Sequence, residues 1–392
     1  KTYFFDDDGK MRDGWYQDGN DIYYLGDEDD GARTSGWLWL EKPDDDADID
    51  LCDDDCDVCD EEGWYWFGYN GKMYKDAKQK KINGKYYYFN EHGQMLYEWI
   101  NGAKVTKGSN AQLDGENPNA TPSDVYYMNV VEEGWRADGW YEMDGSEDVG
   151  TDGDTDWYYV DDGEIKYADG GYKDKATYDE DGKMVYVQRI KINGKYFAFN
   201  EKGQMQDGLQ YINADSGFYY FDENGYQKTG RVTSVECDDD DYTFYFNTKN
   251  GKNGQGYKGL KDDYLYFNGK KLTADDENRL YFYNDKIYLV NSKGKIQKGK
   301  KGYNIENSSI SEDKVSVEFN SDSSVKSITL DEGKGTSYTA AQLLAMSLNT
   351  DSTTSDYVDE DGRYDDAYVT IPFIQLYDNN VYTYRFINKK DG

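Results

Sequence analysis

The chain alternates between short aromatic runs and polar segments that contain glycine. In the clearest pair of runs, residues 82–95 and 192–205, eleven of fourteen positions are identical. Each run places Asn-Gly between an apolar residue and a string of aromatic residues. Asn-Gly is typical of the two-residue turn of a β-hairpin, because both residues adopt positive φ angles readily. Each copy therefore predicts a strand, a tight turn, a second strand and a loop.

The last aromatic residue of the copies recurs about every 22 positions, at Phe67, Phe89, Phe199, Phe221, Phe246 and Phe267. This period is too short for a pair of helices and fits one hairpin with its connecting loop. Since an isolated hairpin is only marginally stable in water, we expect the copies to stack and bury one another's aromatic faces. The sequence thus predicts an all-β solenoid of stacked β-hairpins over residues 1–301.

The aromatic spacing ends near residue 301, and a different pattern follows. Val315–Phe319 and Val325–Leu330 alternate like strands, and Thr339–Gln342 has the spacing of a capping box that opens a short helix. Tyr368–Tyr377 and Val381–Ile387 are typical of a further hairpin. We therefore predict a small α+β C-terminal domain over residues 302–392.

Strand alternation divides the side chains of each run between two faces. One face is uniformly apolar or aromatic and is predicted to form the core: Tyr87 and Phe89, Phe197 and Phe199, Tyr219 and Phe221, Phe244 and Phe246, Leu265 and Phe267. The opposite face is richer in Trp and Tyr, which suit half-exposed grooves: Trp64 and Trp66, Tyr86 and Tyr88, Trp157 and Tyr159, Tyr196 and Ala198, Tyr264 and Tyr266.

Composition restricts the partners. Aromatic residues make up 17% of the chain, which argues against disorder, and the net charge of −35 disfavours nucleic acid as a partner. No apolar stretch is long enough to predict a membrane span. Residues 249–301 carry a net charge of +7, which favours contact with an anionic wall polymer or with the chain's own acidic segments. The acidity and the Asn, Gly and Tyr bias predict a secreted protein of the bacterial cell surface.

The repeats resemble the cell-wall-binding or choline-binding repeat family of Gram-positive surface proteins, and are similar to glucan-binding repeats and to the repetitive regions of clostridial toxins. Gly14-Trp15, Gly36-Trp37 and Gly139-Trp140 match the family's Gly-Trp element, and residues 64–67 and 157–160 match its aromatic run. The resemblance implies a left-handed β-hairpin solenoid whose ligands lie between consecutive hairpins. The chain departs from the family pattern in two acidic insertions, at residues 41–62 and 144–156, and in having every Trp at or before residue 157.

The function that we predict is a non-catalytic module that binds a cell-wall polymer, a choline-type group or a glycan through aromatic side chains. The candidate ligand-binding residues are Trp15, Trp37, Trp64, Trp66, Tyr86, Tyr88, Trp140, Trp157 and Tyr159. Two alternatives stay open: an adhesin-like solenoid that recognises host glycans or proteins, and a purely structural repeat that assembles with itself. We expect no enzyme, because the single histidine, His92, falls in a predicted turn.

No cofactor is predicted, with calcium as the alternative. Asp152, Asp154 and Asp156 offer alternate carboxylates, as a calcium loop does, although Trp157 stands where such a loop needs glycine. Cys52, Cys56 and Cys59 lie in an acidic segment, and we interpret them as local disulfide or free thiols. Zinc held with Cys237 is the alternative interpretation.

Overall fold

The protein is nearly all β, with many antiparallel hairpins and one α-helix among its described residues. The computed structural model describes residues 1–44, 49–52, 59–75, 79–101, 122–146, 150–151, 155–169, 177–178, 184–185, 187–212, 217–237, 240–249, 253–305, 314–348, 369–377 and 380–388. Contacts divide the chain into two compact units. The first unit comprises residues 1–167 and 201–205, and the second comprises residues 168–200 and 206–392.

The strands between residues 15 and 165 are short. They are β1 (Trp15–Asp18), β2 (Asp21–Tyr24), β3 (Gly36–Glu41), β4 (Glu62–Phe67), β5 (Lys80–Ile82), β6 (Lys85–Tyr87), β7 (Trp99–Asn101), β8 (Val125–Tyr127), β9 (Gly139–Asp144), β10 (Thr155–Asp161) and β11 (Glu164–Ile165). Successive strands pair as antiparallel hairpins, β1 with β2, β3 with β4, β5 with β6, β7 with β8 and β9 with β10, and β11 extends the last hairpin.

The strands after residue 176 include longer ones and larger sheets. They are β12 (Thr177–Tyr178), β13 (Met184–Val185), β14 (Val187–Ile192), β15 (Lys195–Asn200), β16 (Met205–Gln206), β17 (Gly208–Ile212), β18 (Gly217–Phe221), β19 (Gly230–Cys237), β20 (Asp240–Phe246), β21 (Gly259–Lys261), β22 (Tyr264–Phe267), β23 (Lys270–Lys271), β24 (Asn278–Tyr283), β25 (Lys286–Asn291), β26 (Lys301–Tyr303), β27 (Val315–Phe319), β28 (Val325–Thr329), β29 (Ser337–Thr339), β30 (Val369–Tyr377) and β31 (Asn380–Asn388). The one α-helix in the part of the chain that the structure describes, α1, spans Ala340–Leu348.

The predicted Asn-Gly turns are confirmed. Asn83 and Gly84 have φ angles of 49° and 88°, and Asn193 and Gly194 have 47° and 85°. Ile82 pairs directly with Lys85, so the turn contains two residues only. Positive φ at both central positions matches the right-handed twist of the flanking strands, which explains why this dipeptide recurs.

A second turn follows each hairpin and has its own fixed chemistry. In the copy that ends at Phe89, the Oδ1 atom of Asn90 accepts hydrogen bonds from the backbone N–H groups of His92 and Gln94, at 3.1 and 2.9 Å. Asp6, Asp222 and Asn291 cap equivalent turns in the same way. The turn lets the last aromatic residue form a β-bridge with the residue six positions later, as Phe89 does with Met95.

Main-chain hydrogen bonds join each hairpin to the one before it. The N–H group of Met95 donates to the carbonyl of Trp64 at 2.8 Å, and that of Arg136 donates to the carbonyl of Tyr86 at 2.7 Å. In the second unit, the N–H group of Gln227 donates to the carbonyl of Tyr196 at 3.2 Å. The bonds satisfy backbone groups that a lone hairpin would leave to water. Consecutive copies within each unit are therefore in direct contact.

Each acidic insertion connects the two strands of one hairpin. Strands β3 and β4 stay paired as far as Glu41 and Glu62, and β9 and β10 stay paired as far as Asp144 and Thr155. The insertions consequently do not change the register of the strands on which they stand.

The predicted division into two faces is confirmed for the core face except at Phe267, which is half-buried, and is wrong for part of the other face. Phe89, Phe199, Phe221, Phe244 and Phe246 are fully buried. However, Tyr88, Ala198 and Tyr266, which we assigned to the half-exposed face, are buried as well. Tyr88, for example, packs against Leu96, Ile100 and Met128. Neighbouring segments cover these positions, so alternation within one strand does not decide their exposure.

The elements predicted after residue 301 are present. Strands β27 and β28 match their predicted ranges within one residue. Helix α1 begins with the predicted capping box: Gln342 donates its N–H to Oγ1 of Thr339, and Thr339 donates its N–H to Oε1 of Gln342. Strand β30 pairs with β24, and Leu280, Ile287 and Leu289 share a core with Tyr303, Val317, Ile328 and Leu343. The domain boundary near residue 301 stays a prediction.

Candidate functional site

Four indole rings occupy one face of the hairpin β3–β4. Trp37 lies opposite Trp66, and Trp39 lies opposite Trp64, in the strand register. Ring centroids are 5.2 Å apart in the first pair and 5.5 Å apart in the second. The other face of the hairpin carries Leu38, Leu40, Tyr65 and Phe67, which pack into the core. Alternation along two paired strands thus concentrates tryptophan on one face, where Trp37, Trp64 and Trp66 are partly buried against the core of the next hairpin and Trp39 stays exposed.

The next hairpin closes one side of this group. The ring of Trp37 lies 4.8 Å from that of Tyr87 and stacks on Phe89 at 5.7 Å. Trp37 is therefore wedged between consecutive hairpins, whereas Trp39 at the other end keeps 42% of its surface exposed. We call Trp37, Trp39, Trp64 and Trp66 the tryptophan cleft. The cleft offers aromatic faces and edges at one open end.

An acidic cavity of about 590 Å³ adjoins Trp39. Its lining includes five carboxylates and one ammonium group, and comprises Trp39, Glu41, Lys42, Asp44, Asp60, Glu61, Glu62, Tyr97 and Val131. The indole N–H of Trp39 donates to Oε2 of Glu62 at 3.1 Å, which fixes the ring against the carboxylates. The excess of negative charge makes this cavity attractive to cations.

Two further contacts order the wall of the acidic cavity. The hydroxyl of Tyr97 donates to Oδ2 of Asp60 at 2.8 Å, and burial followed by this hydrogen bond raises the pKa of Tyr97. The ammonium of Lys42 lies 3.2 Å from Oε1 of Glu61 and is almost fully buried. Tyr97 consequently stays protonated as a hydrogen-bond donor at neutral pH, and Lys42 offsets only part of the local negative charge.

The structure brings together three of the predicted ligand-binding residues, Trp37, Trp64 and Trp66. The remaining six lie elsewhere in the first unit. Trp15 packs edge-on against Tyr65 at 5.0 Å and donates its indole N–H to the carbonyl of Glu41. Trp140 and Tyr159 form an edge-on pair at 5.2 Å on β9 and β10, where Trp157 is 42% exposed. Their role in binding stays a prediction.

The last two predicted residues, Tyr86 and Tyr88, lie near Arg136. Its guanidinium is 4.7 Å from the ring centroid of Tyr86, and it also donates to Oδ1 of Asp162 at 2.6 Å. Tyr88 is buried, with its ring 6.2 Å from that of Tyr126. Cations of the chain therefore already cover Tyr86, and burial closes Tyr88.

The sequence analysis missed Trp39, Tyr97 and the carboxylates of the acidic cavity. Trp39 could have been found, because it stands two positions after Trp37 and must share its face of the strand. Glu41 and Glu62 could have been placed together only by knowing that the insertion is a hairpin loop. Asp60 and Tyr97 belong to different hairpins, so no local pattern connects them.

The residues predicted as calcium ligands and as local thiols do not form a metal site among the described residues. Asp152 and Asp154 lie outside the described residues, and Asp156 accepts a hydrogen bond from Gln204. Within the ranges that the structure describes, no three His, Cys, Asp or Glu side chains are grouped as a metal site would need. Cys52 is disulfide-bonded, while Cys59 is a free thiol whose pKa burial raises to about 11.

No protein-family model matches the chain, and no curated protein does either. Among solved structures, the chain is similar to choline binding protein F from Streptococcus pneumoniae, with 21% identity, a TM-score of 0.43, and coverage of 82% of this chain and 95% of that one. It is also similar to CbpJ from the same species, with 18% identity, a TM-score of 0.47 and coverage of 82% and 96%. The modular autolysin LytC matches at 15% identity, with a TM-score of 0.29 and coverage of 80% and 52%. No helix in the described ranges has the length and apolar character of a membrane span. The matched proteins include members of the choline-binding family that the repeats resemble.

Proposed function

We propose that the chain is a non-catalytic binding module of a secreted bacterial surface protein, and that it holds a choline-type cation of a cell-wall polymer. In this proposal the hairpins form a solenoid, and aromatic residues between consecutive hairpins contact the ligand. The observation that carries it is the tryptophan cleft, whose open end at Trp39 meets five carboxylates.

The chemistry of the tryptophan cleft suits a quaternary ammonium group. Such a cation is attracted to the face of an indole ring with about 0.5 to 2 kcal/mol, and tryptophan is the best of the aromatic side chains for this contact. The adjoining carboxylates add a field that favours positive charge and disfavours anions. Among the described residues, no lysine or arginine lies over Trp37, Trp39, Trp64 or Trp66, so these rings are not covered by the chain's own cations.

Tryptophan emission tests the proposal directly. Titration of the full chain with choline chloride, at ionic strength held constant with KCl, should give a saturable change in emission excited at 295 nm. Trp39→Ala should weaken binding by about 3- to 30-fold, which is the equivalent of one cation–π contact. Glu62→Gln keeps a hydrogen-bond acceptor for the indole and should weaken binding less, with the difference vanishing at high salt.

Tyr69→Ala is the matched control, because Tyr69 is 98% exposed and has no ring partner among the described residues. It should bind choline like the wild-type chain. An unchanged emission in the wild-type chain, or an equal loss in Tyr69→Ala, would contradict the proposal. Retention of the wild-type chain on choline-bearing cell walls, with release by free choline, would extend the result to the polymer.

A further inference from the structure

Many aromatic rings of the second unit are covered by cations of the same chain. The pairs, with the cation over the ring, are Arg189 with Tyr196 and Tyr219, Lys195 with Tyr226, Lys258 with Phe267, Lys261 with Tyr245, Lys270 with Tyr242 and Lys271 with Tyr264. A cation held over an aromatic face occupies the position that a bound ligand cation would take. Arg189 is the most complete case, because it contacts two rings.

Arg189 lies between consecutive hairpins. It stands on β14, and its Cζ atom is 4.6 Å from the ring centroid of Tyr196, on the partner strand β15. The same atom is 4.1 Å from the ring centroid of Tyr219, on β18 of the next hairpin. Tyr219 is buried, while Tyr196 is 36% exposed. The guanidinium therefore has one ring from each hairpin and a partly exposed ring at Tyr196, over which Nζ of Lys191 also lies, farther out at 5.7 Å from the centroid.

Gln227 is a further contact of the guanidinium. Nη1 of Arg189 donates to Oε1 of Gln227 at 2.7 Å. Gln227 forms a β-bridge with Phe221 six positions earlier, and in the first unit Met73 and Met95 hold this position. A methionine thioether is only a weak acceptor, whereas a glutamine carbonyl accepts readily from a guanidinium N–H. The backbone N–H of Gln227 donates to the carbonyl of Tyr196, which fixes Gln227 against the earlier hairpin.

We propose that Tyr196, Tyr219 and Gln227 form a cation site selective for guanidinium groups, and that Arg189 is its built-in occupant. Two rings attract any cation of suitable size, but the carbonyl of Gln227 can accept a hydrogen bond only from a cation that carries N–H donors. A quaternary ammonium ion has none. Glutamine in place of methionine at this position thus makes the site prefer guanidinium groups over quaternary ammonium groups. Arg189 occupies the site in the wild-type chain.

The first test vacates the site in the full chain with Arg189→Ala. Methylguanidinium chloride should then shift the ring resonances of ¹³C-labelled Tyr196 and Tyr219 in a saturable way, about tenfold more tightly than tetramethylammonium chloride, because of the hydrogen bond to Gln227. Arg189→Ala/Gln227→Met should remove this preference. The wild-type chain and Arg12→Ala, which loses an exposed arginine, should show neither response.

The second test needs no truncation of Arg189. In the ¹⁵N spectrum of the wild-type chain, rotation of a guanidinium held by two rings and Gln227 should be slow, and Gln227→Met should speed it toward that of exposed Arg12. The proposal is overturned if the Nη signals of Arg189 average as fast as those of Arg12. It is also overturned if a folded Arg189→Ala binds neither cation or both equally. The resonances of Tyr196 and Tyr219 report on the second unit, and tryptophan emission reports on the first. A failure of this proposal can therefore be distinguished from a failure of the choline proposal.

Discussion

The two units share a hairpin repeat but differ in the aromatic residues that they carry and in the number of rings that a cation of the chain covers. The first unit contains all nine tryptophans and leaves Trp39 of the tryptophan cleft exposed beside carboxylates. The second unit contains no tryptophan, and lysine or arginine covers many of its tyrosines. The repeat therefore specifies the backbone. The residues on the exposed face decide whether the aromatic rings between hairpins stay accessible or are covered by a lysine or arginine of the chain.

The charges of the two units differ in the same sense. In the second unit, hydrogen bonds from Lys298, Lys300 and Lys286 lower the pKa values of Asp263, Glu318 and Asp322, respectively. In the first unit, burial and the nearby charges of Asp144 and Glu132 raise the pKa of Glu98. The lysine-rich stretch is thus matched largely by acids of its own unit, whereas the first unit keeps unbalanced negative charge for a partner.

The largest expected effect tests whether the difference is confined to the surface. Phe89 and Phe246 are both fully buried, one in each unit. Phe89→Ala and Phe246→Ala should each lower the free energy of unfolding by about 3 to 5 kcal/mol, because each leaves a cavity in a packed core. Urea unfolding followed by circular dichroism measures both values. A small loss at one site only would show that the two cores are not equivalent.

An intermediate effect isolates the contact between successive copies. Gly84 and Gly93 have nearly equal φ angles of 88° and 87°, so alanine is strained to the same extent at both. A Cβ atom at Gly84 would meet nothing within 4 Å, whereas one at Gly93 would lie 2.6 Å from Cε of Met73 in the preceding copy. Gly84→Ala should cost about 1 kcal/mol and Gly93→Ala about twice that. Equal losses of unfolding free energy for the two variants in urea would contradict a close contact between Gly93 and Met73 of the preceding copy.

The smallest expected effect concerns titration. Asp322 has a pKa below its ordinary value, so the stability that its bond to Lys286 contributes is present above about pH 4 and is lost as the pH falls. Glu98 has a raised pKa, so its ionisation opposes folding and acid relieves it. In a titration followed by carboxyl NMR resonances, the midpoint of Asp322 should lie below the ordinary value for aspartate, and that of Glu98 above the ordinary value for glutamate. Lys286→Met should raise the pKa of Asp322, and Lys334→Met, an exposed lysine elsewhere, should leave it unchanged.

Local chemistry in the sequence was sufficient to predict the hairpins. Asn83-Gly84 and the Thr339–Gln342 capping box each depend on residues within four positions, and both are present as predicted. Exposure was harder to predict. Tyr88 is covered by Met128, forty positions later, and Arg189 meets Gln227 thirty-eight positions later. Contacts of this range depend on how hairpins are placed against each other, which no pattern within one copy encodes.

The positions of the two acidic insertions bear on how this chain tolerates change. Because residues 42–61 follow the last paired residues of a hairpin, their length is not coupled to strand register, although Asp50 and Asp60 donate their N–H groups to Gln17 and Gln94 of the neighbouring copies. Chain-closure cost rises only slowly with loop length. An insertion of this kind can accept a grafted epitope or a protease recognition sequence if those two bonded residues are kept. Its residues Asp44, Asp60 and Glu61 line the acidic cavity.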